Sequence, residues 1–148
     1  MRESPKPNIA DHLHLVRVFT KCGIVRPRDP RRIAAAAKAV KTWGPTPAGG
    51  YGFNNALYPQ REAVIDELGT LTYRQIHHRT NAIANALDAA GVKPGDYVGV
   101  MCRNHRGWVE STIALSKLGA HSLYLNTSFA KPQVHDVCER DRRTPGRG

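Results

Sequence analysis

Two short apolar runs separated by one helical pattern constrain this chain more than any other feature. Tyr97-Val98-Gly99-Val100-Met101-Cys102 is almost unbroken in apolar character, as expected of a strand covered on both faces, and His121-Ser122-Leu123-Tyr124-Leu125 supplies a second strand. Between them, Arg106 to Leu118 reads as a helix capped by Asn104 and ended by Gly119. A connection of that length is too long for a hairpin and favours a parallel βαβ unit with a right-handed crossover. The expected class is α/β.

The segments on either side extend that frame. Ala63-Val64-Ile65-Asp66 and Thr70-Leu71-Thr72 flank the turn Glu67-Leu68-Gly69 as a hairpin. Thr72 and Gln75 then form a capping box, which opens a helix with a buried face of Tyr73, Ile76, Thr80, Ile83, Leu87 and Ala90, closed by Gly91 and Pro94. Nearer the start, Ile9, Leu13, Val16 and Phe19 mark an amphipathic helix over Ile9 to Cys22. Asp29 and Pro30 begin another that runs to Trp43, with Ile33, Ala36 or Ala37, Val40 and Trp43 on one face. Gly44 to Gly52 reads as a linker or turn region. Lys131 to Glu139 starts one more helix, after which the pattern fails.

A length of 148 residues suits one compact domain. Its net charge of +10 is unevenly placed, since residues 1–47 carry ten Lys/Arg against three acids, whereas residues 48–138 carry eight against seven. Three units are therefore expected: a basic helical leader over 1–47, a neutral α/β block over 48–138, and a disordered tail over 139–148. That tail holds no hydrophobic residue between Asp141 and Gly148. An apolar run of roughly 18 residues, the length that spans a bilayer, is absent, and Met1 to Thr20 lacks a signal-peptide block, so a cytoplasmic protein is expected. Cys22, Cys102 and Cys138 are scattered and odd in number, which points to free thiols.

No active site emerges from the residues alone. Neither GxGxxG nor GxxxxGK[ST] occurs. The turn Cys102-Arg103-Asn104-His105-Arg106-Gly107 either holds an anion at a helix N-terminus or simply caps the helix and carries solvated charge. His12 with His14 and His77 with His78 are the close histidine pairs, and neither spacing turns two rings toward one ion on a helix. Cys102 reads as a buried, inert thiol, and Asp66, Glu67, Asp96 and Glu110 fall at turns or exposed helix positions rather than as a catalytic pair. No catalytic, cofactor-binding or metal-binding residue is assigned. The basic leader has three readings: a solvated face packed on a larger protein, an anionic membrane surface, or nucleic acid. The last is weakened because Phe19 and Trp43 lie on the apolar faces, leaving no stacking platform.

The central block nevertheless carries a recognisable series: Leu71-Thr72-Tyr73, Asn81-Ala82, Ala86-Leu87, Gly91-Val92-Lys93-Pro94-Gly95-Asp96-Tyr97-Val98, Arg103-Asn104-His105, Ala114, Lys117-Leu118-Gly119-Ala120 and Leu125-Asn126-Thr127-Ser128-Phe129. It resembles the N-terminal part of the acyl-adenylate-forming enzymes, the AMP-dependent synthetase and ligase superfamily, over about Ala48 to Val137. With the basic leader and Trp43-Gly44-Pro45-Thr46-Pro47, the chain looks most like bacterial long-chain fatty-acid–CoA ligases. The resemblance implies a hairpin and a βαβ piece of a larger doubly wound sheet, in an enzyme that activates a fatty acid with ATP and magnesium and passes it to coenzyme A. The family's Ser/Thr/Gly-rich phosphate loop ending in Pro-Lys-Gly and the lysine of its small C-terminal domain have no counterpart here. The expectation is therefore a truncated ligase, incomplete and inactive alone, with no ATP, magnesium or coenzyme A site of its own. A frameshift in GC-rich coding DNA would produce the Arg/Pro/Gly ending. The alternative is a non-enzymatic remnant that binds a membrane surface or a partner through the basic helices.

Overall fold

The computed structural model describes residues 29–142. The helix expected over Ile9 to Cys22 lies outside them, as does the tail beyond Arg142. Helices α1 (Pro30–Trp43) and α2 (Pro47–Leu57) come first, then strands β1 (Glu62–Asp66) and β2 (Gly69–Thr72), helix α3 (Tyr73–Ala89) and strand β3 (Tyr97–Val100). Helix α4 (Arg106–Leu118), strand β4 (His121–Tyr124) and helix α5 (Lys131–Arg142) complete the order.

The hairpin and the βαβ unit form as their local signals require. β1 and β2 pair antiparallel with Val64 opposite Leu71 and Asp66 opposite Gly69, while β3 and β4 pair parallel from Tyr97 opposite His121 to Val100 opposite Tyr124. α3 begins with the full capping box: the Thr72 hydroxyl accepts from the Gln75 N–H at 3.3 Å, and the Gln75 side chain accepts from the Thr72 N–H at 2.8 Å. At the other end of α4, Gly119 adopts φ +73°, the left-handed geometry that ends a helix, and Ala120 N–H returns to Leu115 O.

α4 is the centre of the structure. Thr112, Ile113, Ala114 and Leu115 are buried in succession, so no side of this turn faces water. On one side Ile113 packs with Leu71 and Ile76, joined by Tyr51, Val64 and Val109. On the other, Leu115 packs with Val100 and Ala120, joined by Val98, Trp108 and Leu118.

Several expectations are corrected. From Pro47 onward the segment read as a linker or turn is helix α2, which starts at an N-cap, Thr46, whose hydroxyl accepts from the Gly49 N–H, while the Ala48 N–H bonds Ser116 Oγ at 3.1 Å. Two of its glycines serve close packing. A Cβ on Gly49 would overlap the Gly44 carbonyl oxygen, and one on Gly52 would meet the Trp43 ring at 2.9 Å and Ala39 Cβ at 3.1 Å. α1 accordingly packs through Ala36, Ala39 and Trp43, while Ile33 and Val40, expected inside, are exposed. β3 is not covered on both faces among the described residues: Val98 and Val100 face α4, but Tyr97 and Gly99 lie open. On α3, Ala84 is buried and Ala90 exposed. Residues 139–142, assigned to the tail, continue helix α5.

Candidate functional site

In open α/β sheets, ligands gather outside the carboxyl ends of parallel strands. Here those ends, the loops after Val100 and Tyr124 and the start of α4, enclose a groove of about 400 Å³ whose walls include Cys102, Asn104, Trp108, Tyr124, Asn126 and Thr127. Trp108 and Tyr124 lie ring against ring, with centroids 5.2 Å apart, and the Tyr124 hydroxyl pairs with Thr112 Oγ1 at 3.1 Å. A second groove of about 410 Å³ shares Asn104 and Trp108 and is otherwise bounded by the hairpin and α4, through Val64, Ile65 and Val109. Asn104 and Trp108 therefore line both open clefts.

The helix start inside this region is already filled by the chain itself. His105, not Asn104, is the N-cap: its Nδ1 accepts from the Gly107 N–H at 2.8 Å. Asp66 reaches over from the hairpin, 40 residues away, and accepts from the Arg106 N–H at 3.0 Å. The Arg106 guanidinium grips both Asp66 oxygens in a fork and donates to Gly69 O at 3.0 Å. Those bonds hold the Asp66 carboxyl well below the ordinary carboxylate range and push the Arg106 guanidinium up. Because the folded pKa is depressed, this pair supports the fold above the ordinary aspartate range and weakens as pH falls below it.

The turn expected either to hold an anion or to cap thus caps, and its Arg106 charge faces Asp66. Arg103 lies at the surface, 3.4 Å from Glu67. Cys102 is a half-buried free thiol on the groove wall. His77 and His78 meet edge to face at 6.1 Å, and among the described residues no three His, Cys, Asp or Glu side chains converge on one point. The Arg106 and Gly107 N–H groups at this helix start, the kind that cradle phosphate, are already bonded to Asp66 and His105.

One buried polar centre joins residues far apart in the sequence. Lys117 on α4 sends its ammonium into uncharged acceptors: Asn81 Oδ1 at 2.6 Å, Thr80 Oγ1 at 2.7 Å and His77 O at 3.3 Å, with the Trp43 ring centroid 5.9 Å away. Burial lowers its pKa to about 8, and burial, with the Lys117 charge, also lowers that of His77. A lysine whose pKa falls on folding costs stability while charged, and that cost is relieved as pH rises from about 8 toward the free-lysine range. Urea unfolding should show wild type gaining about 1 kcal/mol over that window relative to Lys117→Met, a figure already reduced for the solvent around a half-buried amine. Equal slopes for both proteins would refute this reading.

An α/β segment with a hairpin docked on its crossover helix defines a structural class, and comparison with known proteins places it. Residues 53–142 match the AMP-binding enzyme family, and the chain belongs to it. It is 35% identical over 81 residues to the fatty acid–[acyl-carrier-protein] ligase ScoC of Streptomyces coeruleorubidus, covering 55% of this chain and 16% of that protein. It is equally 35% identical over 81 residues to the 3-oxocholest-4-en-26-oate–CoA ligase of Rhodococcus rhodochrous, covering 55% of this chain and 15% of the relative. A Rhodopseudomonas palustris CGA009 structure titled as that of a long-chain-fatty-acid CoA ligase superposes with a TM-score of 0.58 at 30% identity, over 62% of this chain and 23% of that one. The chain thus spans a small part of the proteins it matches. Among the described residues, no helix is long and apolar enough to cross a membrane.

Proposed function

We propose that this segment belongs to a fatty-acid–CoA ligase, an enzyme that joins a fatty acid to AMP from ATP and then hands the acyl group to coenzyme A. It corresponds to early scaffold of the large domain, not to the reacting centre. The observation that carries this role is the Asp66–Arg106 lock, which spends the α4 N-terminus on holding the hairpin instead of on phosphate. Fatty-acid and sterol-acid relatives favour a long apolar acid as substrate; because one of them transfers to a carrier protein and the other to coenzyme A, coenzyme A as acceptor rests on the sequence resemblance. An anionic membrane surface is a second partner, favoured by the exposed Ile33 and Val40 of the basic helix α1.

ATP–pyrophosphate exchange tests the reading. The 148-residue chain alone should give no exchange with palmitate, since the groups that stabilise the adenylation transition state are absent from it. Joined to the remaining large and small domains of a fatty-acid–CoA ligase, it should support palmitate-dependent exchange. Exchange by the isolated chain would overturn the scaffold role, and a joined enzyme that accepts an aryl acid but no fatty acid would overturn the substrate class.

A further inference from the structure

The ligase reading makes no use of the polar joint between α3 and α4, where hydrogen-bond chemistry fixes the position of each proton. Lys117 Nζ can only donate, so the oxygen of the Asn81 amide must face it, and Oδ1 accepts at 2.6 Å. That leaves Asn81 Nδ2 turned toward His77 Nε2 at 3.3 Å. An amide nitrogen also can only donate, so His77 Nε2 has to present a lone pair, and the imidazole is neutral with its proton on Nδ1. The other partners are committed too. The Thr80 hydroxyl donates to Ile76 O at 2.7 Å and accepts from Lys117 at 2.7 Å, while His77 O accepts the third ammonium N–H at 3.3 Å.

A proton arriving on His77 Nε2 breaks this order. It sets N–H against N–H, and Asn81 can accept it only by turning its amide over, which points Nδ2 at the Lys117 ammonium in place of Oδ1. The amide carries its oxygen on one side only, so it faces one cation or the other. Charge acts in the same direction. Burial, then the Lys117 ammonium and His78, whose ring meets His77 edge to face at 6.1 Å, disfavour the imidazolium. Among the described residues the neighbouring elements bring no carboxylate to offset them. α1 presents the Trp43 ring to Lys117, Tyr51 of α2 faces Tyr73, and the Asp66 and Glu110 carboxylates are held by Arg106 and Arg79.

We infer that Asn81 couples two protonation sites across this joint: a proton on His77 turns the Asn81 amide and breaks the Lys117–Asn81 bond, so that acid loosens the tie between α3 and α4. A histidine that folds with its proton affinity depressed supports the fold above the ordinary imidazole range and withdraws that support as pH falls below it. The inference goes beyond the ligase reading and is independent of it, because the chain is titrated without ATP, fatty acid or coenzyme A.

Side-chain NMR of the isotope-labelled 148-residue chain is the test. At neutral pH the His77 Nε2 signal should be that of an unprotonated ring nitrogen. On titration into acid, the Lys117 Cε signal should step at the His77 midpoint, although Lys117 itself stays charged there. Asn81→Ala should abolish most of that step while His77 still titrates. In Asn81→Asp a carboxylate accepts from both sides, so His77 should take its proton at least about tenfold more tightly and the Lys117 step should shrink. The aspartate variant keeps both acceptors, so it reports even where Asn81→Ala fails to fold. A proton on His77 Nε2 at neutral pH, a Lys117 signal that ignores His77, or a His77 midpoint unmoved by Asn81→Asp would overturn the inference. A Lys117 step retained in Asn81→Ala would mean that charge alone couples the two groups, and overturns it as well.

Discussion

Gly49→Ala is expected to destabilise the fold by about 3 kcal/mol, the upper end for an overpacked site, because the atom in the way is backbone. The added methyl would overlap the Gly44 carbonyl oxygen, and neither group has a rotamer to relieve it. The corner between α1 and α2 would have to open, pulling Trp43 from Gly52 and the Ala48 N–H from Ser116. Its neighbour provides the control. Gly50 is exposed on the same helix with nothing within 4 Å of a Cβ, so Gly50→Ala should stabilise by about 0.5–1 kcal/mol through helix propensity and a stiffer unfolded chain. Urea midpoints moving in opposite directions for adjacent glycines would establish that packing, and not flexibility, put Gly49 there. A neutral Gly49→Ala would sink the argument.

Arg79→Ala should cost about 3 kcal/mol for a different reason. Glu110 sits in the buried middle of α4, 4% exposed, and the Arg79 guanidinium on α3 is its partner through Nε to Oε1 and through Nη2 to Oε2 at 3.3 Å. That pairing raises the Arg79 pKa, chiefly through the hydrogen bond to Glu110. Removing the arginine leaves a carboxylate with little access to water, and the loss reflects the stranded charge more than the worth of the pair. Arg79 is half exposed, so water reaching the vacated site keeps the cost at the low end of the range. Glu110→Gln in the Arg79→Ala background should therefore recover stability rather than lose more. A double-mutant cycle by chemical denaturation should return a coupling above about 1 kcal/mol. Additive losses would mean the two side chains act independently.

What the residues announced in advance was whatever depends on near neighbours. Thr72 with Gln75, Pro30 at the head of α1, Gly119 at the foot of α4 and the parallel order of β3 and β4 each follow from spacing within a few turns. The glycines after Trp43 were misread because a glycine needed for a turn and one needed for close approach look identical in a sequence. Ile33 and Val40 were misplaced on α1 because alanines made the contact: a tight crossing selects the small face, not the most apolar one. The Asp66–Arg106 lock and the Lys117 cage join residues some 40 positions apart, beyond the reach of any local pattern. A clue to the second did exist: Thr80 in the buried stripe, followed by Asn81, marked polar atoms that needed a partner. The groove was invisible for the same reason, since its walls come from two loops and a helix start that only the crossover brings together.

The hairpin carboxylate at the head of α4 behaves as a tethered ligand. Asp66 reaches the helix mouth through its own chain, so its local concentration there is on the order of millimolar or higher before any contact energy is counted. A free phosphate meeting this mouth competes against an anion that cannot diffuse away and that also satisfies the Arg106 fork. Anion capture and hairpin docking are thus mutually exclusive states of one surface. The head of α4 becomes available to an outside anion only when the hairpin has left it, and the Leu71–Ile76–Ile113 cluster beneath would be opened at the same time.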